Sequence, residues 1–300
     1  MDVALVTYSE LLDLFPDDRP LRDALRGAGL EVGIVSWDDP EFDWATPRLT
    51  FLRSPWDYYR RPDEFLAWAE HAASRTELVN PLAVVRWNLH KSYLVGLAER
   101  GLPVVPTTLL RRGTVVSYRE LVAGRGWSRA IVKPAISADS WETHAVAAGD
   151  ATTGQSLLDR LLPEHDLLVQ PFLESVETYG ERCLVFLDGA FSHAVRKNAL
   201  TRGGRWTDLP EGVPVEAAGD EIELAQRIVA AAGLEGCLYA RVDLTRDDQG
   251  APLLLELEAT EPTLFLEDSP SGLARLTAAL VARSRAPRAL DPTNPRSALL

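Results

Sequence analysis

Apolar residues at the start of the chain come in short runs separated by stretches of helical period. "VALVT" (3–7) reads as a strand. "PLRDALRGAG" (20–29) reads as a helix closed by Gly29, and "EVGIVSW" (31–37) as a second strand. Strand, helix, strand is an α/β unit. "LTFLRSPWDYYRRPDEFLAWAEHA" continues it with a strand, an aromatic and charged loop, and an amphipathic helix. The pattern then changes at Pro81. A helix is expected from Asn88 to Gly101, followed by a strand carrying Pro103 and Pro106, with a domain boundary near Arg86.

Beyond that boundary, "SYRELVAG" reads as a helix, and "SRAIVKPAISADSWETHAVAA" as two strands joined by a loop of small and polar residues. A helix at "GQSLLDRLL" and a strand "DLLVQPFLE" follow, the strand breaking at Pro171, where a second boundary is set. "ERCLVFLDGAFSHAVRK" is a hairpin whose Asp188-Gly189 suits a tight turn. "GDEIELAQRIVAAAGL" is a helix with Asp220 as N-cap, and "CLYARVDLTRDDQGAPLLLELEA" a second hairpin turning through "DDQG". The last helix, "SGLARLTAALVAR", precedes a proline-rich stretch with no periodicity. The resulting division is 1–86, 87–171, 172–285 and an exposed tail, 286–300.

A chain of 300 residues that is 46% hydrophobic can fill a large core in two or three layers. The formal charge of −13 disfavours nucleic acid and anionic membranes and leaves a small molecule as the expected partner. With no basic leader and no long apolar segment after Met1, a cytoplasmic protein is expected. The two cysteines, Cys183 and Cys237, lie in apolar strands without metal spacing and read as structural thiols. None of the five histidines has a partner at metal spacing, and no nucleophile elbow is present. Zinc enzymes and serine hydrolases are therefore poor fits.

The second hairpin carries the strongest chemical signal. Side chains alternate along a strand, so Arg241 and Asp243 share one face, and so do Glu256 and Glu258. Hairpin strands lie about 5 Å apart, which lets three carboxylates and a guanidinium converge. Oxygen-only ligands suit Mg2+ or Mn2+; a solvated acidic face is the alternative. Lys133 ends a strand ahead of "AISADSW", whose small residues let backbone N–H groups approach a phosphate, and Lys91 is expected one turn into a helix. There is no Walker-type loop and no dinucleotide glycine fingerprint.

In this order the motifs resemble the ATP-grasp superfamily, of which D-alanine:D-alanine ligase and glutathione synthetase are members. The resemblance runs from Lys91 to Pro262. It implies an α/β (α+β) protein of ATP-grasp fold: an N-terminal α/β pre-grasp domain plus two α+β subdomains holding ATP between them. By that resemblance Lys91 and Lys133 contact phosphate, Lys133 also acting in catalysis. Phe172 and Leu173 of "QPFLESVE" present backbone groups to adenine, and Glu177 its carboxylate to the ribose. Arg241 is the catalytic arginine, and Asp243, Glu256 and Glu258 hold the metal. Gln170 stands where many members have an acidic residue, its carbonyl able to accept from adenine. Ser137 and Ser140 replace the glycines usual in the phosphate lid, and Glu258 stands where Asn is frequent.

"LRSPWDYYRRPDEFLAW", "VVRWNLHKSYLVGLAERGLPVVPT" and "LELEATEPTLFL" resemble the actinobacterial branch of ATP-grasp proteins that contains D-cycloserine synthetase. This implies an acyl-phosphate mechanism and cyclisation of O-ureido-D-serine. A ligase joining two molecules and a silent ATP-binding regulator are the alternatives. The expected partner is a small carboxylate, and a homodimer is compatible with it. For substrate contacts the loops at the carboxyl ends of the N-terminal strands offer Glu10, Arg53, Asp57 and Tyr58, although "RSPWDYY" could equally form a packed aromatic corner. The first C-terminal hairpin offers Arg182, Arg196 and Lys197.

Overall fold

Three sheets organise the chain in the computed structural model, which describes residues 1–197, 201–202, 205–206 and 212–287. The first sheet is parallel: β1 (Val3–Thr7), β2 (Val32–Ser36), β3 (Leu49–Leu52) and β4 (Glu77–Val79), in the order β2-β1-β3-β4. Every residue of β1 is buried, as expected of a parallel strand covered on both faces. One face packs Val3, Leu5 and Phe51 against Leu21 and Leu25 of α1 (Arg19–Gly27). The other packs Val6 and Leu52 against Phe65 and Trp68 of α2 (Pro62–Arg75).

Two helices, α3 (Leu82–Asn88) and α4 (Tyr93–Glu99), lead into the second sheet. That sheet is antiparallel, with β5 (Thr108–Leu110), β6 (Arg129–Pro134), β7 (His144–Ala147) and β8 (Leu167–Pro171) ordered β5-β8-β6-β7. It rests on α5 (Tyr118–Ala123) and α6 (Ala151–Leu161), whose Leu121, Leu158 and Leu161 meet Val132 and Val169. The short α7 (Ser175–Thr178) links it to the third sheet.

The third sheet contains β9 (Glu181–Leu187), β10 (Ala190–Lys197), β13 (Val213–Val215), β14 (Tyr239–Arg246) and β15 (Pro252–Glu258), ordered β13-β10-β9-β14-β15. A small ribbon of β11 (Thr201–Arg202) and β12 (Arg205–Trp206) lies between β10 and β13 in sequence. On one face, α8 (Gly219–Ala231) packs Leu224 and Ile228 against Leu184, Val242 and Leu254. On the other, Leu276 and Leu280 of α9 (Pro270–Arg285) join Val185, Val195 and the α1 side of the first sheet in a shared core. The β9–β10 hairpin turns at Asp188 (φ 50°) and Gly189 (φ 74°), the mirror-image turn that matches strand twist. A Cβ on Gly189 would lie 2.5 Å from the Glu235 carbonyl oxygen, so this position needs glycine for space as well as for conformation.

Four local expectations are corrected. The helix expected from Asn88 to Gly101 is two helices, and Asn88 ends the first instead of opening one. Lys91 therefore sits in the turn between α3 and α4 and not one turn into a helix. Pro103 and Pro106 flank an isolated parallel bridge between Val104 and Leu254, not a strand; the strand starts at Thr108, past the residues that lack a ladder donor. At α8 the N-cap is Ala218, and Asp220 is inside the first turn; the Glu221 carboxylate accepts the Ala218 N–H, while Asp220 pairs with Arg246 at 2.7 Å. Most of the proposed tail, from residue 288 onward, lies outside the described residues. No described helix is long and apolar enough to cross a membrane.

One buried acid near the first sheet is only half satisfied. Asp17 accepts the Glu267 N–H at 3.1 Å, but its Oδ2 has no partner, whereas its neighbour Asp18 pairs with Arg53 at 2.7 Å. Burial, reinforced by Asp18, pushes the Asp17 carboxyl up to about 6. The folded state thus holds this proton more tightly than the unfolded chain does, so the stabilisation it gives is present at low pH and lost as pH rises through about 6. Asp17→Asn should remove that dependence. In denaturant titrations the variant should gain about 2 kcal/mol on the parent between pH 4.5 and 7.5; a constant difference would contradict it.

Candidate active site

The hairpin of β14 and β15 builds the floor of a cleft of about 540 Å³. Its register sets Arg241 opposite Glu258 and Asp243 opposite Glu256, as the alternation of side chains requires. Arg241 donates from Nε and Nη2 to the two oxygens of Asp243, both at 2.8 Å, and from Nη2 to Glu258 as well. Next to this pair, β9 and β10 set Glu181 opposite Lys197. The Lys197 ammonium is 3.3 Å from Glu181 and 3.6 Å from Asp243.

Across the cleft, the second sheet presents Lys133 from β6, 3.7 Å from Glu256. Lys91 reaches the same carboxylate at 3.2 Å from the turn between α3 and α4, and donates to the Ser137 carbonyl at 2.6 Å. The segment after Lys133 places Ser137 and Ser140 on the cleft wall, Ser140 with a positive φ of 54°. Gln170, Phe172 and Leu173 close one end. Gln170 uses its amide N–H on the Thr107 hydroxyl at 2.9 Å, which leaves its carbonyl as an acceptor. The Phe172 N–H bonds the Arg129 carbonyl at 2.9 Å and is therefore taken within the fold.

The floor strand β15 lies at the edge of its sheet, and its outward backbone groups are covered one by one. Leu254 exchanges bonds with Pro103 and Val105, at 2.9 and 3.0 Å. The Leu257 carbonyl accepts from Asn88 Nδ2 at 2.7 Å, and its N–H donates to the Tyr93 hydroxyl at 3.1 Å. The Ala259 N–H donates to Asn88 Oδ1 at 2.7 Å. A bulge between these groups, at Leu255, shifts the bonding phase and still leaves Glu256 and Glu258 in the cleft.

Burial and charge act against each other on every floor residue. Burial raises Asp243, but Arg241 and Lys197 outweigh it and hold this carboxyl below its ordinary range. Burial likewise raises Glu256, where Lys91 and Lys133 win and the net shift is downward. Glu181 and Glu258 go the other way: burial, helped by the Asp243 charge, overcomes their cations and lifts each to about 7. Burial opposes the Lys197 charge, yet the surrounding acids raise its ammonium above the usual range.

The acids fit a hard divalent cation. The ligand oxygens of Asp243, Glu256 and Glu258 do not all lie within 4.8 Å of one another; among the described residues the trio that does is Glu181, Cys183 and Asp243. Mg2+ is commonly held by one or two carboxylates plus substrate phosphates, so an open oxygen set suits it better than a closed cage. Burial keeps the Cys183 thiol protonated, its pKa well above the ordinary value, in keeping with a structural thiol.

The expected substrate residues separate. Tyr58 and Lys197 line the cleft. Arg53 does not: it is 1% exposed, paired with Asp18 at 2.7 Å, and lies over the rings of Phe51 and Tyr239. Asp57 accepts from the Trp37 indole at 2.7 Å and pairs with Arg61, in the aromatic corner. Glu10 is exposed on a short turn (Ser9–Leu11) outside the cleft lining. Arg182 and Arg196 pair across β9 and β10, one residue out of phase with Glu181 and Lys197, and so face away from the cleft. Glu177 also lies outside the lining, with Arg129 3.5 Å from its carboxylate. Glu181, Glu261, Tyr93, Trp56 and Thr263 line the cleft without having been singled out from sequence. Glu181 was legible, since it shares strand alternation with a hairpin already recognised.

Comparison with known proteins adds an independent line. A family model described as "D-cycloserine synthetase DcsG, N-terminal domain" matches residues 3–80. The cycloserine biosynthesis protein DcsG of Streptomyces lavendulae is 35% identical over 295 residues, 94% of this chain and 98% of that one. The crystal structure of D-cycloserine synthetase DcsG superposes with a TM-score of 0.88 at 34% identity, covering 95% of this chain and all of the other. D-alanine–D-alanine ligase from Bacillus anthracis complexed with ATP shares the fold, with a TM-score of 0.63 at 14% identity and coverage of 95% and 97%.

The Glu258 carboxyl, held near 7, must be ionised to ligate a cation. Mn2+ affinity, followed by electron paramagnetic resonance, should therefore rise about tenfold between pH 6 and 8 and then level off. Glu258→Gln should flatten the profile; a profile that stays steep in the variant would assign the titration to Glu181.

Proposed function

The chain belongs to the D-cycloserine synthetase family of ATP-grasp ligases, and from that premise we propose that it activates the carboxylate of O-ureido-D-serine with ATP and closes it to D-cycloserine. The observation that carries this reading is the meeting of Lys91, Lys133, Lys197 and Arg241 with the carboxylates of β14 and β15 in one cleft that ends at a hinge strand. In the first step a carboxylate oxygen attacks the γ-phosphorus of ATP, and ADP leaves. Two anions must approach each other, so catalysis is chiefly charge neutralisation and alignment.

Lys91, Lys133 and Lys197 supply three of the positive charges around the phosphates. The adenine edge is read by the Gln170 and Phe172 carbonyls and the Leu173 N–H. Mg2+, or Mn2+ with the same oxygen preference, would be held by Asp243, Glu256 and Glu258 and would neutralise phosphate charge. Ser137 and Ser140 bring hydroxyls and backbone groups to the loop over the phosphates.

In the second step the substrate's own O-linked nitrogen attacks the acyl carbon and phosphate departs. The ureido carbonyl is lost as carbon dioxide and ammonia. Overall, substrate, ATP and water give D-cycloserine, ADP, phosphate, carbon dioxide and ammonia. Arg241, aimed into the cleft beneath the reacting groups, stabilises the oxyanion of the tetrahedral intermediate. Ring closure within one molecule needs no second amine, so a single small-molecule pocket suffices.

Purified protein with ATP and Mg2+ should release phosphate on addition of O-ureido-D-serine alone, with D-cycloserine detected by mass spectrometry in equal amount. Release that requires both an amino acid and a separate amine would replace this reading with a two-substrate ligase. Glu256→Gln should lower kcat by about 100-fold with an unchanged circular dichroism spectrum; full turnover in that variant would remove the β15 carboxylates from the site.

A further inference from the structure

Each partly or wholly buried carboxylate on the cleft floor has a cation beside it. Glu181 has Lys197 at 3.3 Å, Asp243 has Arg241 at 2.8 Å, Glu256 has Lys91 at 3.2 Å, and Glu258 has Arg241. Glu261 is different. It lines the same cleft and is 8% exposed, yet it has no cationic partner among the described residues; its neighbour is the neutral hydroxyl of Tyr58. A buried carboxylate that forms no ion pair is a costly arrangement that a cationic ligand would relieve.

The backbone around it is fixed with unusual completeness. Three successive carbonyls are each held by a side chain, two from the loop that follows β3 and one from β14. Trp56 Nε1 donates to the Glu261 carbonyl at 3.1 Å, Arg53 to Pro262 at 3.0 Å and Arg241 to Thr263 at 3.1 Å. The Glu261 side chain is thus presented from a rigid support, which lowers the entropy lost on binding. Arg53, buried outside the cleft lining, holds this loop through the Pro262 carbonyl.

Location selects the ligand. Glu261 feels the charges of Lys91, Glu256 and Arg241, the groups that would handle the carboxylate being activated. In an α-amino acid the ammonium is one carbon from that carboxylate, so its acceptor must be a close neighbour of those groups. We propose that Glu261 is the acceptor for the substrate's α-ammonium group, making the protein selective for an α-amino carboxylate over the same carboxylate without its nitrogen. This rests on the ligase function above and specifies the class of its substrate.

The test is the ratio of kcat/KM for O-ureido-D-serine to that for its des-amino analogue, measured as phosphate release by the parent, Glu261→Gln and Glu261→Asp. The ratio should fall about 10- to 100-fold in Glu261→Gln, as expected for a lost charge-assisted hydrogen bond, with partial rescue in Glu261→Asp. The loss should appear in KM for the amino acid, and the thermal shift given by an ATP analogue should persist, reporting an intact fold and nucleotide site. An unchanged ratio in Glu261→Gln, with O-ureido-D-serine still turned over by the parent, would overturn the inference and leave the ligase function standing. If the parent rejects O-ureido-D-serine but turns over another α-amino carboxylate in a Glu261-dependent way, the substrate assignment fails and the inference holds. Phosphate release with no α-amino carboxylate at all overturns both.

Discussion

Arg241 lies between Asp243 and Glu258, and each of the three is tolerable in its position because the other two are there. Arg241 and Asp243 are 3% and 1% exposed, so neither could keep its charge alone without a large desolvation penalty. The same logic spreads outward. Lys197 ties this group to Glu181, Lys133 ties Glu256 to the second sheet, and Lys91 ties it to the turn between α3 and α4. The approach of the two sheets is thus fixed by ion pairs as well as by apolar packing. A phosphate-bearing ligand would enter a site whose cations are already positioned by acids.

That arrangement needs the edge strand β15 to be held firmly. An edge strand in water frays and offers its backbone to other chains. Here Asn88, Tyr93 and the Pro103–Val105 segment occupy its outward groups, so the helical connection between the first two sheets becomes part of the site's foundation. The turn between α3 and α4 that delivers Lys91 is built from the same stretch. One short piece of chain therefore braces the carboxylate strand and supplies a cation to it.

Much of this could be read from the sequence. Alternation along β14 and β15 put Arg241, Asp243, Glu256 and Glu258 on one face, and the register confirms it. Asp188-Gly189 specified its turn through local conformational preference. The errors share a cause. Asn88 carries an ordinary capping signal, but its amide serves Leu257 and Ala259, some 170 residues away. Arg53 and Asp57 sit in a loop where functional residues are common, and both were drawn into packing by partners far along the chain, Arg53 by Asp18 and Pro262, Asp57 by Trp37. Arg182 and Arg196 could have been excluded, because residues adjacent to Glu181 and Lys197 on a strand must point the other way.

Local patterning by itself determined most of the elements, the shared face of the hairpin carboxylates and the family resemblance. These follow from period, turn chemistry and residue order, all of which act over a few residues. Tertiary structure alone decided which acid of the cleft forms no ion pair among the described residues and which charges are withdrawn from water. Glu261 is three residues beyond Glu258 and looks no different on paper, but whether a carboxylate is paired depends on ammonium and guanidinium groups brought in from elsewhere in the fold. Burial and Coulomb energy are properties of the assembled cleft, and a linear sequence does not contain those distances.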